Sequence, residues 1–291
     1  MRRIAITGAA GLLGQYLFAK IKPGTNLLCL DDNPNPFEKA PDIEYLRVDL
    51  LLTDSWRKDL ERFRPEIIIN CAAYSDVDDC EDNHELADRM NIELVDNLLK
   101  YSSARIVHFS SDYVFNGENG PYDEDDEVDP INYYGRTKLE SEKLLQKSGR
   151  DYLIIRTNVL YGLAKNVRPN FVTWLVACLK DSKPVSIVTD QYNNPTYAAN
   201  LAEASIEALD LGISGILHIG GADYLSRYDA ALRIAKTLSL DDGLINKSSS
   251  QQLKQKARRP GRGGLKVTRA EKILTTRLTG LKDGLKMMYL L

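Results

Sequence analysis

A serine, a tyrosine and a lysine stand in residues 110–143 at positions where they could act on a carbonyl group. Tyr134 and Lys138 are four residues apart, a spacing that places a phenol and an ammonium on one face of a helix. An ammonium beside a phenol lowers the pKa of the phenol, which predicts a tyrosine that exchanges protons near neutral pH. Ser111 ends the apolar run 106–111, so its hydroxyl could hydrogen-bond a substrate carbonyl. An ordinary exposed helix pair has the same Tyr–Lys spacing, so the other motifs must decide between the two interpretations.

A short strand at residues 4–7 leads directly into three glycines and then into a helical stripe of apolar residues. This order of strand, glycine turn and helix is typical of dinucleotide-binding proteins, in which the phosphates lie on the free amides of the helix. A plain tight turn would not need three glycines at this spacing. The predicted cofactor-binding residues of the turn are Gly8, Gly11, Leu12, Leu13 and Gly14.

The second strand ends in Asp31, 17 residues after Gly14, where a ribose-binding carboxylate is expected. A carboxylate accepts from the 2′-hydroxyl of NAD and repels the 2′-phosphate of NADP. The sequence therefore favours NAD(H), with NADP(H) possible. A solvated Asp-Asp turn is the alternative.

Further apolar runs alternate with helical patterns, which predicts an α/β fold with a Rossmann-type doubly wound parallel sheet and right-handed crossovers. Residues 67–70 form a predicted buried strand, and the helix at 86–101 leads to the strand that ends at Ser111. Two sets of residues just past strands are expected to meet the cofactor. They are Asp49 and Leu50 at the adenine end, and Ala72 and Ala73, which are small enough to let the cofactor approach.

We expect a dinucleotide-binding domain at residues 1–160 and a smaller carboxy-terminal substrate-binding lobe at 161–291. Part of 185–220 should return to the sheet, with a strand at 213–220. Helices are predicted at 168–180 and 228–238. Arg258, Arg259 and Arg262 stand beside glycines in an otherwise acidic protein and could clamp a phosphate or diphosphate, although a solvated basic loop fits equally well.

The bulk properties exclude several function classes. A net charge of −3 gives no support for a nucleic-acid or anionic-membrane surface. No apolar run is long enough to span a bilayer, so we expect a cytoplasmic protein. The four cysteines are scattered, which predicts reduced thiols and no structural metal. The acidic run 123–128 could hold a divalent ion, but a solvated loop is favoured.

These motifs together resemble the extended short-chain dehydrogenase/reductase family, and within it the dTDP-4-dehydrorhamnose reductase branch. TGAAGLLG is similar to the TGxxGxxG of the family, and SSDYVFNG to the S-T-D-Y-V-F-x-G of the branch. NCAAYSDVDDCE, YYGRTKLESE, RTNVLYG, DQYNNPT and ARRPGRGGL follow in the order of the branch, so that nearly the whole chain is covered.

The resemblance implies catalytic roles for Ser111, Tyr134 and Lys138, and a structural role for Asn91. It implies that Ala72, Ala73 and Tyr74 form the wall beside the nicotinamide half of the cofactor. It also implies a substrate site that includes Ser111, Asp112, Tyr134, Val159, Arg258, Arg259 and Arg262. Val159 stands where the branch usually has a tryptophan that meets the sugar, which leaves the hexose open. Dehydratases of the family carry Asp-Glu after the catalytic hydroxyl residue, whereas here Tyr113 follows Asp112, so elimination of water is not supported.

The leading hypothesis is an NAD(P)H-dependent reductase acting on the 4-keto group of a nucleoside-diphosphate 4-keto-6-deoxyhexose. One alternative is a nucleotide-sugar epimerase or dehydratase that retains its NAD. The other is a non-catalytic regulatory subunit similar to the β-subunit of methionine adenosyltransferase. The expected partners are the nucleotide-sugar substrate and a second copy of the chain in a homodimer.

Overall fold

A computed structural model describes residues 2–290 of the chain, which form strands and helices in near-regular alternation up to residue 157. The strands are β1 (Arg3–Thr7), β2 (Asn26–Asp31), β3 (Ile43–Arg47), β4 (Ile67–Asn70), β5 (Arg105–Ser111), β6 (Tyr152–Thr157), β7 (Leu160–Tyr161), β8 (Val185–Val188), β9 (Tyr192–Asn193), β10 (Thr196–Tyr197), β11 (Gly215–His218), β12 (Leu225–Ser226) and β13 (Ile245–Ser248). The helices are α1 (Leu12–Lys20), α2 (Arg57–Phe63), α3 (His84–Asp88), α4 (Leu94–Tyr101), α5 (Tyr133–Lys147), α6 (Phe171–Lys180), α7 (Ala198–Asp210), α8 (Arg227–Thr237), α9 (Ser250–Leu253), α10 (Thr268–Ile273) and α11 (Leu281–Tyr289).

Seven parallel strands form the main sheet in the order β11-β6-β5-β4-β1-β2-β3. The strand order reverses at β1, and such a reversal opens a crevice at the carboxyl ends of the strands. Both the glycine turn after β1 and Ser111 at the end of β5 lie at this edge. The predicted doubly wound parallel sheet is confirmed.

Both faces of the sheet are covered, which explains why its strands are apolar runs without alternation. On β1, Ile4 and Ile6 belong to one buried cluster with Leu17 of α1, whereas Ala5 belongs to the opposite cluster with Leu98 of α4. The small buried side chains along α7 allow it to pack closely against α1 on the first face. The core is therefore a three-layer α/β/α stack.

A separate apolar cluster lies in the second half of the chain, where α6, α8 and α11 pack around Tyr161 and Leu285. Three two-stranded sheets accompany it, pairing β7 with β10, β8 with β13 and, in antiparallel fashion, β9 with β12. The strand β11 returns to the main sheet beside β6, as expected for part of 185–220. The domain boundary at residue 160 stays a prediction.

Several element boundaries differ from those predicted. The helix α6 begins at Phe171 instead of residue 168, because Asn170 caps it and Pro169 precedes the cap. The predicted helix at 86–101 is interrupted by one wider π-helical segment, Arg89–Glu93. No helix within residues 2–290 is long and apolar enough to cross a membrane.

Candidate functional site

The glycine turn between β1 and α1 has the features of a diphosphate-binding loop. Gly8 has φ +70°, in the region that favours glycine, and a Cβ on it would lie 2.6 Å from a backbone nitrogen of the loop after β4. A Cβ on Gly14 would lie 2.3 Å from the carbonyl oxygen of Gly8. The helix α1 has no side-chain cap and no acidic residue in its first turn, so its positive end is open to an anion. The N–H of Gly11 donates to the carbonyl oxygen of Gly8 at 3.1 Å, so the N–H groups that fit the diphosphate of a dinucleotide are those of Leu12 and Leu13 at the start of α1.

The carboxylate of Asp31 lies beside this turn at the end of β2 and is only 4% exposed. Its Oδ2 accepts a hydrogen bond from the backbone N–H of Ala10 at 2.8 Å, and its Oδ1 accepts two at 2.9 Å from Asn33. A carboxylate offers about four acceptor positions, so Oδ2 retains one for a ligand hydroxyl. Arg47, the register partner of Asp31 on β3, is exposed. This edge therefore carries both a carboxylate and a guanidinium.

Asp49 and Leu50 follow β3, one strand further from the turn. Asp49 is exposed, and its Oδ1 accepts a hydrogen bond from the backbone N–H of Leu51 at 2.9 Å. The side chain of Leu50 is buried in the core with Trp56, so only its backbone could meet a ligand.

The loop after β4 carries Ala72, Ala73 and Tyr74, and the backbone of Ala72 lies against Gly8 of the glycine turn. Asn91 fixes this loop, because its Oδ1 accepts from the N–H of Tyr74 at 2.8 Å and its Nδ2 donates to the carbonyl oxygen of Tyr74 at 3.1 Å. The same Nδ2 lies 2.9 Å from the hydroxyl of Thr137 on α5. Asn91 is buried inside the π-helical segment and has the structural role predicted for it.

Ser111 and Tyr134 meet where β5 ends and α5 begins. The hydroxyl of Ser111 lies close enough to the phenol of Tyr134 to lower its pKa. It also donates to Asp112 Oδ1 at 3.3 Å and accepts from the N–H of Tyr113 at 3.2 Å. The structure thus brings together a phenol, a hydroxyl and a carboxylate at the crevice, two of which can hydrogen-bond a carbonyl oxygen.

The pKa of Tyr134 is raised, which contradicts the predicted lowering by Lys138. Burial is the main cause, with Cys80 and Asp112 adding to the rise and the nearby hydroxyl of Ser111 opposing it. The Nζ of Lys138 lies 3.3 Å from Nε2 of His108, and burial lowers the pKa of Lys138 to about 8. With a raised pKa the phenol stays protonated at neutral pH, so Tyr134 is a proton donor in this state.

The end of β6 brings two further residues to the crevice. Asn158 donates to Asp112 Oδ2 at 3.1 Å, and the N–H of Gly264 donates to the same oxygen at 3.1 Å. Burial raises the pKa of Asp112, while these bonds act in the opposite direction. Val159 is half-buried and has φ +44°, which for a β-branched residue costs about 1–3 kcal/mol. Its carbonyl oxygen is held by the N–H of Thr196 at 3.1 Å.

The predicted arginine cluster divides into one paired and two exposed side chains. We refer to residues 256–269 as the basic segment. Arg259 Nη1 lies 2.7 Å from Asp78 Oδ1. Burial raises the pKa of Asp78, but the Arg259 guanidinium outweighs this effect and the pKa is lowered. Arg258 and Arg262 are exposed, and the N–H of Arg262 donates to the carbonyl oxygen of Gly117 at 2.7 Å. The carbonyl oxygen of Arg258 accepts from Nδ2 of Asn132, the cap of α5, at 2.9 Å.

The acidic run 123–128 is largely exposed, as expected for the solvated loop favoured from the sequence, and it forms surface ion pairs with the basic segment. Asp123 lies 2.7 Å from Lys266, and Asp125 lies 2.5 Å from Arg269. Glu124 is buried, and its Oε1 accepts a hydrogen bond from the N–H of His218 at 3.0 Å. Across residues 2–290, no three His, Cys, Asp or Glu side chains are grouped so that they could hold a metal ion.

Arg227, the first residue of α8, is a candidate site residue that the sequence did not reveal. Its guanidinium lies over the ring of Phe171, 5.0 Å from the centroid, and near Tyr113. Burial lowers its pKa, the negative charge of Asp112 opposes this, and the nearby Arg259 adds to the lowering. Two guanidinium groups therefore share one partly buried region beside Ser111 and Tyr134. A single arginine between a tyrosine and a serine gave no signal by its spacing.

Comparisons with known proteins agree over nearly the whole chain. Residues 1–290 match the family model described as RmlD substrate binding domain. Three curated relatives span most of both chains. They are the probable low-salt glycan biosynthesis reductase Agl14 of Haloferax volcanii (32% identical, covering 96% of this chain and 95% of the relative), the dTDP-4-dehydrorhamnose reductase of Salmonella typhimurium (30%, 98% and 96%) and the methionine adenosyltransferase 2 subunit beta of Danio rerio (28%, 98% and 89%).

Among solved structures, the dTDP-4-dehydrorhamnose reductase of Bacillus anthracis in complex with NADP superposes with a TM-score of 0.86. It is 27% identical and covers 100% of this chain and 99% of its own. The family match, the relatives and the shared fold lead to one assignment. The chain belongs to the RmlD family, the dTDP-4-dehydrorhamnose reductase branch of the extended short-chain dehydrogenases/reductases.

Proposed function

We propose that this protein reduces the keto group of a nucleotide-linked sugar with NADH or NADPH as the hydride donor. The observation that carries the proposal is the grouping of Ser111 and Tyr134 at the crevice, with the buried Lys138 one helical turn further along α5. Similarity to the reductases of Salmonella typhimurium and Bacillus anthracis supports it. The finer form of the proposal is the 4-keto group of a nucleoside-diphosphate 4-keto-6-deoxyhexose, as in dTDP-rhamnose biosynthesis.

The nicotinamide cofactor, when bound, supplies the hydride. In this proposal the glycine turn holds the diphosphate, and Ala72, Ala73 and Tyr74 form the wall beside the nicotinamide half. Tyr134 gives its phenol proton to the carbonyl oxygen, and its raised pKa keeps that proton available at neutral pH. Ser111 orients the same oxygen by hydrogen bonding. Lys138 contributes a positive charge one turn from the phenol and binds the ribose of the cofactor.

On the substrate side, the diphosphate of the nucleotide sugar needs positive charge at the crevice. Arg227 and Arg259 lie in its partly buried part, and Arg258 and Arg262 are exposed on the basic segment. Because buried charge-assisted bonds are stronger than exposed ones, we assign the larger contribution to Arg227. Asp112 and Val159 border the sugar in this proposal.

The choice between NADH and NADPH rests on the edge formed by β2 and β3. Asp31 favours NADH, because its free acceptor position suits a ribose hydroxyl and its charge repels a phosphate. Arg47 at the same edge gives NADPH a possible partner. We retain NADH as the favoured donor and NADPH as the alternative.

The test is an assay of the purified protein alone with a panel of nucleotide-linked 4-keto sugars, each with NADH and with NADPH. Oxidation of either cofactor that depends on a keto sugar supports the reductase. Tightly bound NAD with interconversion of sugars and no net oxidation would instead identify an epimerase or dehydratase. Similarity to the methionine adenosyltransferase 2 subunit beta makes a regulatory subunit the second candidate. Absence of turnover across the panel would favour it. A cytoplasmic location and a homodimer stay predictions.

A further inference from the structure

A buried row of polar side chains crosses the main sheet beneath the crevice. The strand register places Thr7 of β1, Asn70 of β4 and His108 of β5 side by side, and none is more than 1% exposed. The Oγ1 of Thr7 lies 2.6 Å from Asn70 Oδ1, and Asn70 Nδ2 lies 3.1 Å from His108 Nδ1. Burying polar groups in apolar strands is costly unless they are bonded to one another, so the row has a defined hydrogen-bond order.

The far side of the His108 ring faces α5. Its Nε2 lies 3.0 Å from Ser141 Oγ and 3.3 Å from Lys138 Nζ. The hydroxyl of Ser141 donates its proton to the carbonyl oxygen of Lys138 at 2.7 Å. Towards the His108 ring, Ser141 Oγ therefore acts only as an acceptor. The row therefore connects the residue before the glycine turn to the lysine of the candidate site.

The hydrogen-bond order has one solution in which Lys138 is neutral. If Thr7 donates to Asn70 Oδ1, the amide presents its N–H to His108 Nδ1, which must then accept. The neutral ring consequently carries its proton on Nε2 and donates it to Ser141. An N–H at Nε2 opposes a lysine ammonium, whose three positions are all donors, but it can bond a neutral amine.

The second solution fits a charged Lys138. With the amide of Asn70 turned over, Nδ2 donates to Thr7 and Oδ1 accepts from an N–H at His108 Nδ1. The lone pair at Nε2 is then free to accept from the ammonium of Lys138. Both solutions keep the side chains in place. They differ in the orientation of the Asn70 amide, in the ring proton and in two hydroxyl groups, because Thr7 accepts from Asn70 instead of donating and Ser141 no longer accepts from the ring.

We propose that Thr7, Asn70 and His108 form a two-state hydrogen-bond switch that changes orientation as Lys138 gains or loses its proton. His108 is thereby a positioning residue that acts through Lys138. The inference rests on the proposed function only in giving the charge of Lys138 a catalytic purpose.

Lys138 has several charged and titratable neighbours, but among them only the His108 ring is hydrogen-bonded to its Nζ within the described residues. Glu142, on the same helix, favours the ammonium, but both its oxygens are bonded to Arg156 at 2.7 and 3.0 Å. Cys71, after β4, acts in the same direction, and its own pKa is raised by burial. Burial lowers the pKa of His108 well below its usual range, with Lys138 adding to this, so the ring is neutral in both states. The ring can therefore change its tautomer but not its charge.

The direct test is nitrogen NMR of the ¹⁵N-histidine-labelled protein between pH 6 and 10, without substrate or cofactor. The chain has three histidines, so a His108→Gln variant assigns the ring. We expect His108 to carry its proton on Nδ1 at low pH and on Nε2 at high pH, with a midpoint near the lysine pKa of about 8. His218, whose Nδ1 faces the carbonyl oxygen of Tyr122 at 3.2 Å, should keep one tautomer throughout. A His108 ring that keeps one tautomer over this range would overturn the proposal.

A variant of Asn70 tests whether an effect on Lys138 passes through the His108 ring or comes from a nearby charge alone. Asn70→Asp can only accept from His108 Nδ1, so it favours the charged state of Lys138. It should move the alkaline limb of the pH profile of kcat/KM upward by about 0.5 pH unit or more. In a His108→Phe background the same substitution should lose at least half of that shift. An undiminished shift in the double variant would mean that the new charge acts through space, and the switch would be wrong.

The two experiments also separate this inference from the proposed function. A change of the His108 tautomer in a protein without reductase activity would contradict the proposed function and support the switch. Reductase activity with a fixed tautomer would do the reverse.

Discussion

The two walls of the crevice are held in place by different interactions, one by burial in an apolar core and the other by hydrogen bonds and ion pairs. The sheet wall carries Ser111 and the glycine turn on the ends of buried parallel strands, whose register fixes them within an apolar core. The opposite wall is the basic segment, which has little regular structure before α10 and is held by backbone hydrogen bonds and ion pairs to the loops around it. Groups that need accurate placement for chemistry lie on the sheet wall, whereas the basic segment supplies charge. Since exposed ion pairs are worth little individually, the basic segment depends on many small contacts.

This difference predicts that the largest loss of activity comes from the sheet wall and α5. Replacing Tyr134 with Phe removes the proton donor, and kcat should fall by about 100-fold or more while cofactor affinity is nearly unchanged. Tyr133→Phe is the matched control, because the hydroxyl of Tyr133 donates to Asp88 at 2.9 Å, away from Ser111. Steady-state kinetics and cofactor titration of both variants measure the effect. A Tyr134→Phe enzyme that keeps more than about half of its turnover would contradict the assignment.

The comparison is sharpened by two arginines that differ in burial, Arg227 on α8 and Arg258 on the basic segment. Arg227→Ala should lower kcat/KM for the nucleotide sugar by about 10- to 150-fold, the loss expected for a charge-assisted bond, and Arg258→Ala should lower it less. Arg233→Ala serves as the control, since Arg233 lies on the same helix and pairs with Asp223 at 2.8 Å. Equal losses at Arg227 and Arg258 would remove burial as the deciding factor.

The pH dependence should report the buried lysine of α5. Burial lowers the pKa of Lys138 to about 8, so its ammonium is present below pH 8 and is lost as the pH rises through that value. Because Tyr134 has a raised pKa and stays protonated, kcat/KM should fall about 10-fold per pH unit above 8 through Lys138 alone. The profile is measured from pH 6 to 10. A constant kcat/KM up to pH 10 would mean that the charge of Lys138 is not needed.

The smallest expected effect is at the cofactor end of the sheet wall. Asp31→Ala should weaken NADH by about 3- to 10-fold more than NADPH, because one carboxylate both binds the ribose hydroxyl and repels the extra phosphate. Dissociation constants for the two cofactors, measured by fluorescence titration, give the ratio. Equal losses would assign the discrimination to another group, with Arg47→Ala as the next variant to measure.

The sequence predicted the sheet wall well, because its signals are local. The buried strand at Ile67–Asn70 and the helix that begins after Asn132 were found from runs and spacing, and the structure confirms them. The helix α6 was placed three residues early, since the cap at Asn170 competes with an apolar pattern that begins before it. The wider turn around Asn91 could not be predicted, because it depends on bonds to Tyr74 and Thr137 in other elements.

The sequence by itself determined the parallel α/β sheet, the glycine turn, and the positions of Ser111, Tyr134 and Lys138 on their elements. These depend on residue periodicity and on backbone freedom, which are properties of short stretches of chain. Tertiary structure alone decided that Arg259 pairs with Asp78, that Arg227 joins the crevice, and that Lys138 faces His108 instead of lowering the pKa of Tyr134. Such contacts join residues tens to hundreds of positions apart, and their energies depend on burial, which the order of residues does not reveal.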